Sequence, residues 1–300
     1  MNTTLALTPE IAERVANLRV RVRGAVEGLR SGIHQSPHRG ASVVFAEHRD
    51  YRPGDDTRTL DWRAYARNDR FTIKHFEQET HLRAQLVLDL SPSMAYGHGD
   101  TNDKAAYAAA LLGALSLVLL RQGDAVGAHL IADGVFESLP ARSRNDHLES
   151  LLQLFATMPR TSGGTALRKA LLEVGERVGK RGLVVIASDL LDADGAALEP
   201  LSMLRARGHQ VSVFHVLHRD ELALPFSESA RFIDPEGPGQ LDADPQVLAT
   251  DYRKQMEDFV DARRARCVAA GCRYVLCPTD QPVQHVLSAA LERQGGAAWA

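Results

Sequence analysis

Two short apolar segments constrain the fold of this chain more than any other feature of its sequence. Residues 85–90 read Gln-Leu-Val-Leu-Asp-Leu, and residues 182–188 read Gly-Leu-Val-Val-Ile-Ala-Ser. Each is too short for an ordinary helix and lacks the alternation of a half-exposed strand, a pattern typical of strands buried on both faces. Since 44% of the 300 residues are apolar, the chain can supply the large core that such strands need.

Further strand and helix patterns alternate around these segments. The predicted strands are residues 125–131, 210–216 and 273–276, and the predicted helices are residues 102–121, 145–155, 165–178, 198–207, 244–270 and 282–294. Asp100 or Thr101 is the expected cap of the first of these helices. Strands that alternate with helices predict an α/β fold with a doubly wound, mostly parallel sheet flanked by helices. Ligands of such sheets bind beyond the carboxyl ends of the strands.

The first 80 residues follow a different pattern. Apolar residues three or four positions apart predict an amphipathic helix over residues 11–29. Residues 31–42 are rich in Gly, Ser, His and Pro and predict a loop, whereas residues 71–80 alternate weakly, as a strand does. We therefore expect an N-terminal helical and extended arm over residues 1–80 and a sheet domain over residues 81–300.

Charge and hydropathy exclude several classes of protein. With 35 basic and 38 acidic residues the net charge is −3, so no global attraction to nucleic acid or anionic lipid is expected. The apolar stretch of residues 105–120 is shorter than the roughly 20 residues of a membrane span, and the N-terminus lacks the pattern of a secretory signal. Cys267, Cys272 and Cys277 have no metal-binding or disulfide spacing and are expected to be reduced core thiols. We expect a cytoplasmic protein without a transmembrane segment.

Oxygen-bearing side chains follow the two buried strands. Asp89, Ser91 and Ser93 form a D-x-S-x-S pattern after the first strand, Asp189 follows the second, and Thr165 ends a Ser-Gly-Gly-Thr loop before a helix. Carboxylates and hydroxyls at one sheet edge are hard donors that suit Mg²⁺ or Mn²⁺. The alternative is that these residues only cap turns and helices, but capping does not explain why all five fall at strand ends.

This set of residues resembles the metal-ion-dependent adhesion site of von Willebrand factor A domains, and the predicted fold is accordingly von Willebrand A-like, a Rossmann-like arrangement. The resemblance implies that Ser91, Ser93 and Thr165 contact the metal, and that Asp89 and Asp189 bind it directly or through water. It also implies an open coordination position that accepts a carboxylate from a partner protein. The metal is then bound either in the free protein or only together with the partner.

The segment before the sheet domain strengthens the resemblance. Residues 45–67, Phe-Ala-Glu-His-Arg-Asp-Tyr-Arg-Pro-Gly-Asp-Asp-Thr-Arg-Thr-Leu-Asp-Trp-Arg-Ala-Tyr-Ala-Arg, resemble the signature of the bacterial domain-of-unknown-function family fifty-eight. With the adhesion-type site, the resemblance covers roughly residues 36–220. It departs from the family pattern at Val44, where an acid is expected, and at Leu60, where Ile is usual.

The resemblance also implies a partner. Members of this family occur beside MoxR-class AAA+ ATPases, so we expect an adaptor or chaperone-like protein that couples such an ATPase to an unknown client. The signature mixes bases and acids, which favours a structured arm with internal ion pairs and an aromatic anchor. Its candidate partner-binding residues are Arg49, Tyr51, Asp55, Asp56, Arg58, Asp61, Trp62 and Arg67.

Two other functions are compatible with the sequence. A metal-dependent hydrolase could use the same strand-end site, although the sequence contains no hydrolase motif and names no general base. An RNA or phosphate binder could use an arginine cluster that includes Arg49, Arg63 and Arg67, although the net charge excess of the arm is small.

Residues 75–81 contain a second group of possible metal ligands. His75, Glu77, Glu79 and His81 would share one face of a strand, and imidazole and carboxylate groups bind zinc or iron. Because neighbours on one strand face lie about 7 Å apart, we interpret these four residues as a solvated strand face.

Overall fold

The computed structural model describes residues 9–32, 47–50, 65, 72–75, 82–97, 103–144, 146–158, 166–179, 181–191 and 198–291, with only the backbone of residues 30–32, 47–50 and 72–75. The helices and strands of these residues, in chain order, are α1 (Pro9–Gly32), β1 (Glu47–Asp50), β2 (Thr72–His75), β3 (Arg83–Asp89), α2 (Lys104–Arg121), β4 (Ala125–Ile131), β5 (Val135–Arg142), α3 (His147–Thr157), α4 (Leu167–Arg177), β6 (Leu183–Ser188), α5 (Glu199–Ala206), β7 (Gln210–Leu217), α6 (Arg219–Ala223), β8 (Ala230–Ile233), β9 (Gln240–Ala243), α7 (Pro245–Ala269), β10 (Arg273–Pro278) and α8 (Val283–Leu291).

A six-stranded sheet organises most of these elements. Its strand order is β10-β7-β6-β3-β4-β5, and all neighbours are parallel except β4 and β5. From β3 the chain builds one half of the sheet with β4 and β5 and then crosses over to build the other half from β6. The strand order therefore reverses between β3 and β6, which is where ligands bind in open sheets of this kind.

Helices cover both faces of the sheet, as the alternation of patterns predicts. On one face, Leu86 and Leu88 of β3 pack in a core with residues of α1, α2, α3 and α8. On the other face, Val87 and neighbouring residues of β6 pack in a second core with α4, α5 and Cys267 of α7. The structure thus confirms the predicted α/β class, with a mostly parallel sheet between two helical layers.

Helix α2 is the central helix of the larger core. Among the described residues it is the one helix that is long and apolar enough to cross a membrane, and nearly all of its residues are buried within this fold. Its cap is Asp103, whose carboxylate accepts a hydrogen bond from the backbone of Ala106, rather than the predicted Asp100 or Thr101. The helix begins later because the chain is still extended at Asp103, which forms an isolated antiparallel bridge with Gly97.

Helix α1 packs against α2, α3 and α8. A Cβ atom at Gly113 of α2 would lie 2.8 Å from Cγ2 of Val22 in α1, so the two helices approach each other closely. Contacts therefore place α1 in the compact unit that contains the large sheet, whereas β1 and β2 form an antiparallel pair in a separate unit. These units differ from the predicted division at residues 80 and 81, because an amphipathic helix needs a partner that its own pattern does not identify.

Four small elements of the larger unit are not predicted from the sequence. Strand β5 is half-exposed and antiparallel at the sheet edge, α6 is only five residues long, and β8 and β9 form a hairpin between α6 and α7. Short, partly exposed segments carry little hydrophobic periodicity, so the pattern of the sequence does not reveal them.

Candidate metal-binding site

Two carboxylates meet at the point where the strand order reverses. Asp89 is the last residue of β3, and Asp189 directly follows β6. The parallel register pairs Leu88 with Ala187, so both strands end at the same level of the sheet. Both side chains are about 1% exposed. Because burying a charge is costly, each carboxylate needs hydrogen bonds or a counter-charge in the folded protein.

Asp89 is held by the residues around it. Its Oδ1 accepts a hydrogen bond from the backbone N–H of Ser91 at 2.9 Å, and its Oδ2 accepts one from the hydroxyl of Ser188 at 2.6 Å. Burial, together with the charge of Asp189, raises the pKa of Asp89 to about 7. The site therefore carries a surplus of negative charge that a further cation would relieve.

The two serines lie in a short 3-10 turn that follows β3. Their Oγ atoms are 3.1 Å apart, and each residue is about 2% exposed. The hydroxyl of Ser93 also donates to Oε1 of Glu236, at 2.8 Å. Glu236 lies in the turn between β8 and β9, so a carboxylate from a distant hairpin reaches the serine pair.

A buried lysine neutralises part of this charge. Lys104, the first residue of α2, is fully buried, and its Nζ donates to Oδ2 of Asp189 at 2.8 Å and to Oε1 of Glu221 at 2.5 Å. Burial alone would lower the pKa of Lys104, but the two carboxylates outweigh it and raise the pKa. Glu221 is fixed in turn, since its Oε2 accepts from the backbone N–H of His218 at 2.7 Å.

A neutral histidine holds the backbone of Asp189. Burial lowers the pKa of His215 to about 4, so the ring is uncharged near neutral pH. Its Nε2 lies 2.8 Å from the carbonyl oxygen of Asp189, and its Nδ1 lies 2.6 Å from the hydroxyl of Tyr274. Since a carbonyl only accepts hydrogen bonds, Nε2–H donates to Asp189, and Nδ1 accepts from Tyr274.

The structure brings four of the predicted metal-site residues to one edge of the sheet: Asp89, Ser91, Ser93 and Asp189. Thr165, the fifth, lies outside the described residues. Of the predicted partner-binding residues, Arg49 is described only as backbone of β1, and the others lie outside the described residues: Tyr51, Asp55, Asp56, Arg58, Asp61, Trp62 and Arg67.

Five residues of the site were not predicted: Lys104, Ser188, His215, Glu221 and Glu236. Lys104 carries no decisive signal, because a lysine at the start of a helix is ordinarily exposed, and only the structure shows that it is buried with a counter-charge. Glu221 and Glu236 carry no local signal, since only the packing of distant elements brings them to the strand ends.

The donors of this site fit a hard divalent cation. The hydroxyls of Ser91 and Ser93 and the carboxylate of Glu236 are oxygen ligands of the kind that Mg²⁺ and Mn²⁺ prefer. Asp89 and Asp189 are engaged by neighbouring donors, which suits carboxylates that orient bound water around an ion. Among the described residues, no three His, Cys, Asp or Glu side chains could hold a metal on their own, so the serine hydroxyls are essential to such a site.

The chain has recognisable relatives. The family described as "Protein of unknown function DUF58" matches residues 47–266. Uncharacterized proteins of Mycobacterium tuberculosis and Mycobacterium bovis are each 31% identical to it over 222 residues, which cover 72% of this chain and 68% of theirs.

Similar solved structures include BatB from Bacteroides thetaiotaomicron, with a TM-score of 0.45 and 19% identity over 69% of this chain and 96% of BatB. They also include the SpRpn10 VWA domain, with a TM-score of 0.38 and 9% identity over 69% of this chain and 94% of that domain. The match of the family to most of the chain, and the identity with the mycobacterial proteins, show that this protein belongs to the DUF58 family.

Proposed function

We propose that the strand-end site binds Mg²⁺ or Mn²⁺ and, through the metal, an acidic side chain of a partner protein. The observation that carries this proposal is the serine pair, which lies beside two buried carboxylates and already contacts a carboxylate oxygen, at 2.8 Å from Ser93. A site that holds one carboxylate in this way has the shape and chemistry to hold that of a partner.

The charges of the site support a divalent cation. Asp89, Asp189, Glu221 and Glu236 bring four negative charges when ionised, and Lys104 pairs with two of these groups, Asp189 and Glu221. One ammonium against four carboxylates leaves a formal charge of −3, which a divalent ion reduces to −1. In a buried site this neutralisation is strongly favourable.

Each residue has a distinct role in the proposed site. Ser91 and Ser93, with Thr165, supply hydroxyl ligands, and Asp89 and Asp189 orient bound water. Lys104 holds the carboxylate of Asp189 in place through their hydrogen-bonded ion pair. When bound, the metal supplies a positive centre with an open position for a carboxylate.

We infer that the protein is a non-enzymatic adaptor. His215, the imidazole beside Asp189, is neutral and both its nitrogens are engaged, so it is not free to act as a base toward the serines. A hydrolase is the second candidate, because Glu236 could accept a proton from Ser93. Ser93 is only about 2% exposed, however, which leaves a substrate little access to its hydroxyl.

The proposed partner is a MoxR-class AAA+ ATPase in the cytoplasm, with a client protein that the adaptor presents to it. Membership of the DUF58 family supports this choice. Because a single metal–carboxylate contact is modest, other surfaces have to supply most of the interface area. We assign this part to the signature residues between Arg49 and Arg67.

A capture experiment tests this proposal. The purified full chain is incubated with lysate of its host in Mg²⁺ or EDTA, beside a Ser91→Ala/Ser93→Ala variant, and retained proteins are identified by mass spectrometry. A Ser143→Ala/Ser202→Ala variant removes two exposed hydroxyls and is the matched control. We expect an AAA+ ATPase to be retained in Mg²⁺ by the unmodified chain and the control, and lost in EDTA and in the site variant.

Equal retention in all samples would contradict the metal-dependent interface. The hydrolase candidate is tested on the same variants with generic ester and phosphoester substrates. Turnover that disappears in the Ser91→Ala/Ser93→Ala variant, but not in the control, would favour catalysis.

A further inference from the structure

The hairpin of β8 and β9 ends in a turn built to present one carboxylate. The backbone N–H of Asp234 donates to the carbonyl of Gly239 at 2.9 Å, which closes the turn. Oδ1 of Asp234 then accepts from the backbone N–H of Glu236, also at 2.9 Å. A Cβ atom at Gly237 would lie 2.8 Å from Oδ2 of Asp234, so the Asp234 side chain packs closely against the backbone of the turn. These contacts fix the backbone from which the Glu236 side chain extends.

The rest of the hairpin is weakly held. Ile233 is 64% exposed and Leu241 is 57% exposed. The main aromatic contact of the strands is that of the half-buried Phe232 with Phe226, whose ring centroids lie 6.3 Å apart, so the strands bury a modest apolar surface. The Arg231–Asp242 ion pair, at 2.7 and 3.1 Å, joins the two strands on the exposed surface and contributes little to stability. An isolated two-stranded hairpin is only marginally stable in water. The contact of Glu236 with the buried Ser93 is therefore an important anchor of this hairpin.

The anchor has the chemistry of the proposed ligand. A partner would present a carboxylate on a loop to the serine pair, and Glu236 is a carboxylate on a loop that reaches Ser93 from 143 positions along the chain. We propose that the hairpin is a ligand that the chain supplies to its own site, and that a partner's acidic side chain has to displace it. This inference rests on the proposed function, and it identifies the hairpin as the element that regulates access to the site.

Hydrogen exchange of the hairpin tests this inference on the full chain without metal. In Glu236→Ala and in Ser93→Ala we expect the amides of residues 230–243 to exchange about tenfold faster, since a hydrogen bond to a charged group is lost. Glu228→Ala removes an exposed glutamate from the segment just before the hairpin, and we expect this control to exchange like the unmodified chain. If Glu236→Ala exchanges like Glu228→Ala, the hairpin is not anchored by its carboxylate and the inference is overturned.

A titration with Mn²⁺ alone separates this inference from the proposed function. Glu236→Gln keeps an oxygen that accepts from Ser93 but loses the charge that a cation attracts. We expect Mn²⁺ to slow hairpin exchange further in the unmodified chain and not in Glu236→Gln. Electron paramagnetic resonance measures the binding of Mn²⁺, and a failure of the unmodified chain to bind it would contradict the proposed function. The exchange experiment without metal would still decide whether Glu236 anchors the hairpin.

Discussion

The inner part of the strand-end site and its rim are built in different ways. In the inner part, Lys104, Asp189 and His215 are buried, and their polar contacts join residues that lie in strands and packed helices or directly follow a strand. At the rim, Ser93 meets Glu236 from an exposed hairpin that buries little. The inner part can therefore fix geometry and charge, whereas the rim is the place where one carboxylate can exchange for another.

The largest expected effect follows from removing the buried ammonium. Lys104→Met leaves Asp189 and Glu221 buried without their counter-charge, and we expect a loss of about 3–5 kcal/mol in the free energy of unfolding. Lys169→Met is the matched control, since Lys169 is exposed and pairs with the exposed Asp133 at 3.5 Å; its expected cost is within about 0.5 kcal/mol. Urea denaturation measures both.

Equal losses in the free energy of unfolding for Lys104→Met and Lys169→Met would contradict the prediction, because the inner part of the site would then be no more sensitive than the exposed surface. Should Lys104→Met fail to fold, Glu221→Gln keeps the side-chain shape and removes only one charge. That variant leaves Lys104 paired with Asp189 and should unfold at an intermediate urea concentration.

The next effect depends on pH. Because burial lowers the pKa of His215 to about 4, the unfolded chain takes up a proton below pH about 6.5 while the folded chain does not. The contribution of His215 to the free energy of unfolding is therefore complete above pH 6.5 and falls by roughly 3 kcal/mol as the pH drops towards 4. The raised pKa of Asp89 has the opposite effect over this range, so the contribution of His215 is measured as the difference between the unmodified chain and a His215 variant. His215→Gln retains a donor for Asp189 and should remove that part of the pH dependence.

The control for this prediction is His285→Gln, at an exposed position in α8. We expect it to follow the unmodified chain across the whole range, in urea titrations at several pH values with EDTA present. Identical slopes for both histidine variants would mean that protons reach His215 freely in the folded state, and that the inner part of the site is less closed than its burial indicates.

Much of the fold, and the inner carboxylates, could be predicted from the sequence for one reason. Buried parallel strands have a short apolar pattern, and their carboxyl ends meet at one edge, so Asp89 and Asp189 could be placed together without a structure. The counter-charge of Asp189 could not, because the pattern of the sequence does not show which helix start packs against this strand end and so does not identify Lys104. The contact of Glu236 with the site could not be predicted either, for a different reason. Its hairpin has no apolar pattern, and Ser93 and Glu236 are 143 positions apart in the sequence.

The smallest expected effect is the difference between two serine variants, one in the inner part of the site and one at its rim. Ser188 donates to Asp89 at 2.6 Å and accepts from the backbone of Leu190 at 3.0 Å, so Ser188→Ala leaves a buried carboxylate short of a donor. We expect a cost of about 2 kcal/mol, because hydrogen bonds to charged groups contribute about 1.5–3 kcal/mol. Ser93→Ala should cost less, about 1 kcal/mol, because water can replace its hydroxyl at the half-buried Glu236. Urea denaturation in EDTA measures the loss in the free energy of unfolding for both variants. A larger loss for Ser93→Ala than for Ser188→Ala would mean that the rim is held as firmly as the inner part. There would then be no reason to expect one carboxylate to exchange for another at the rim.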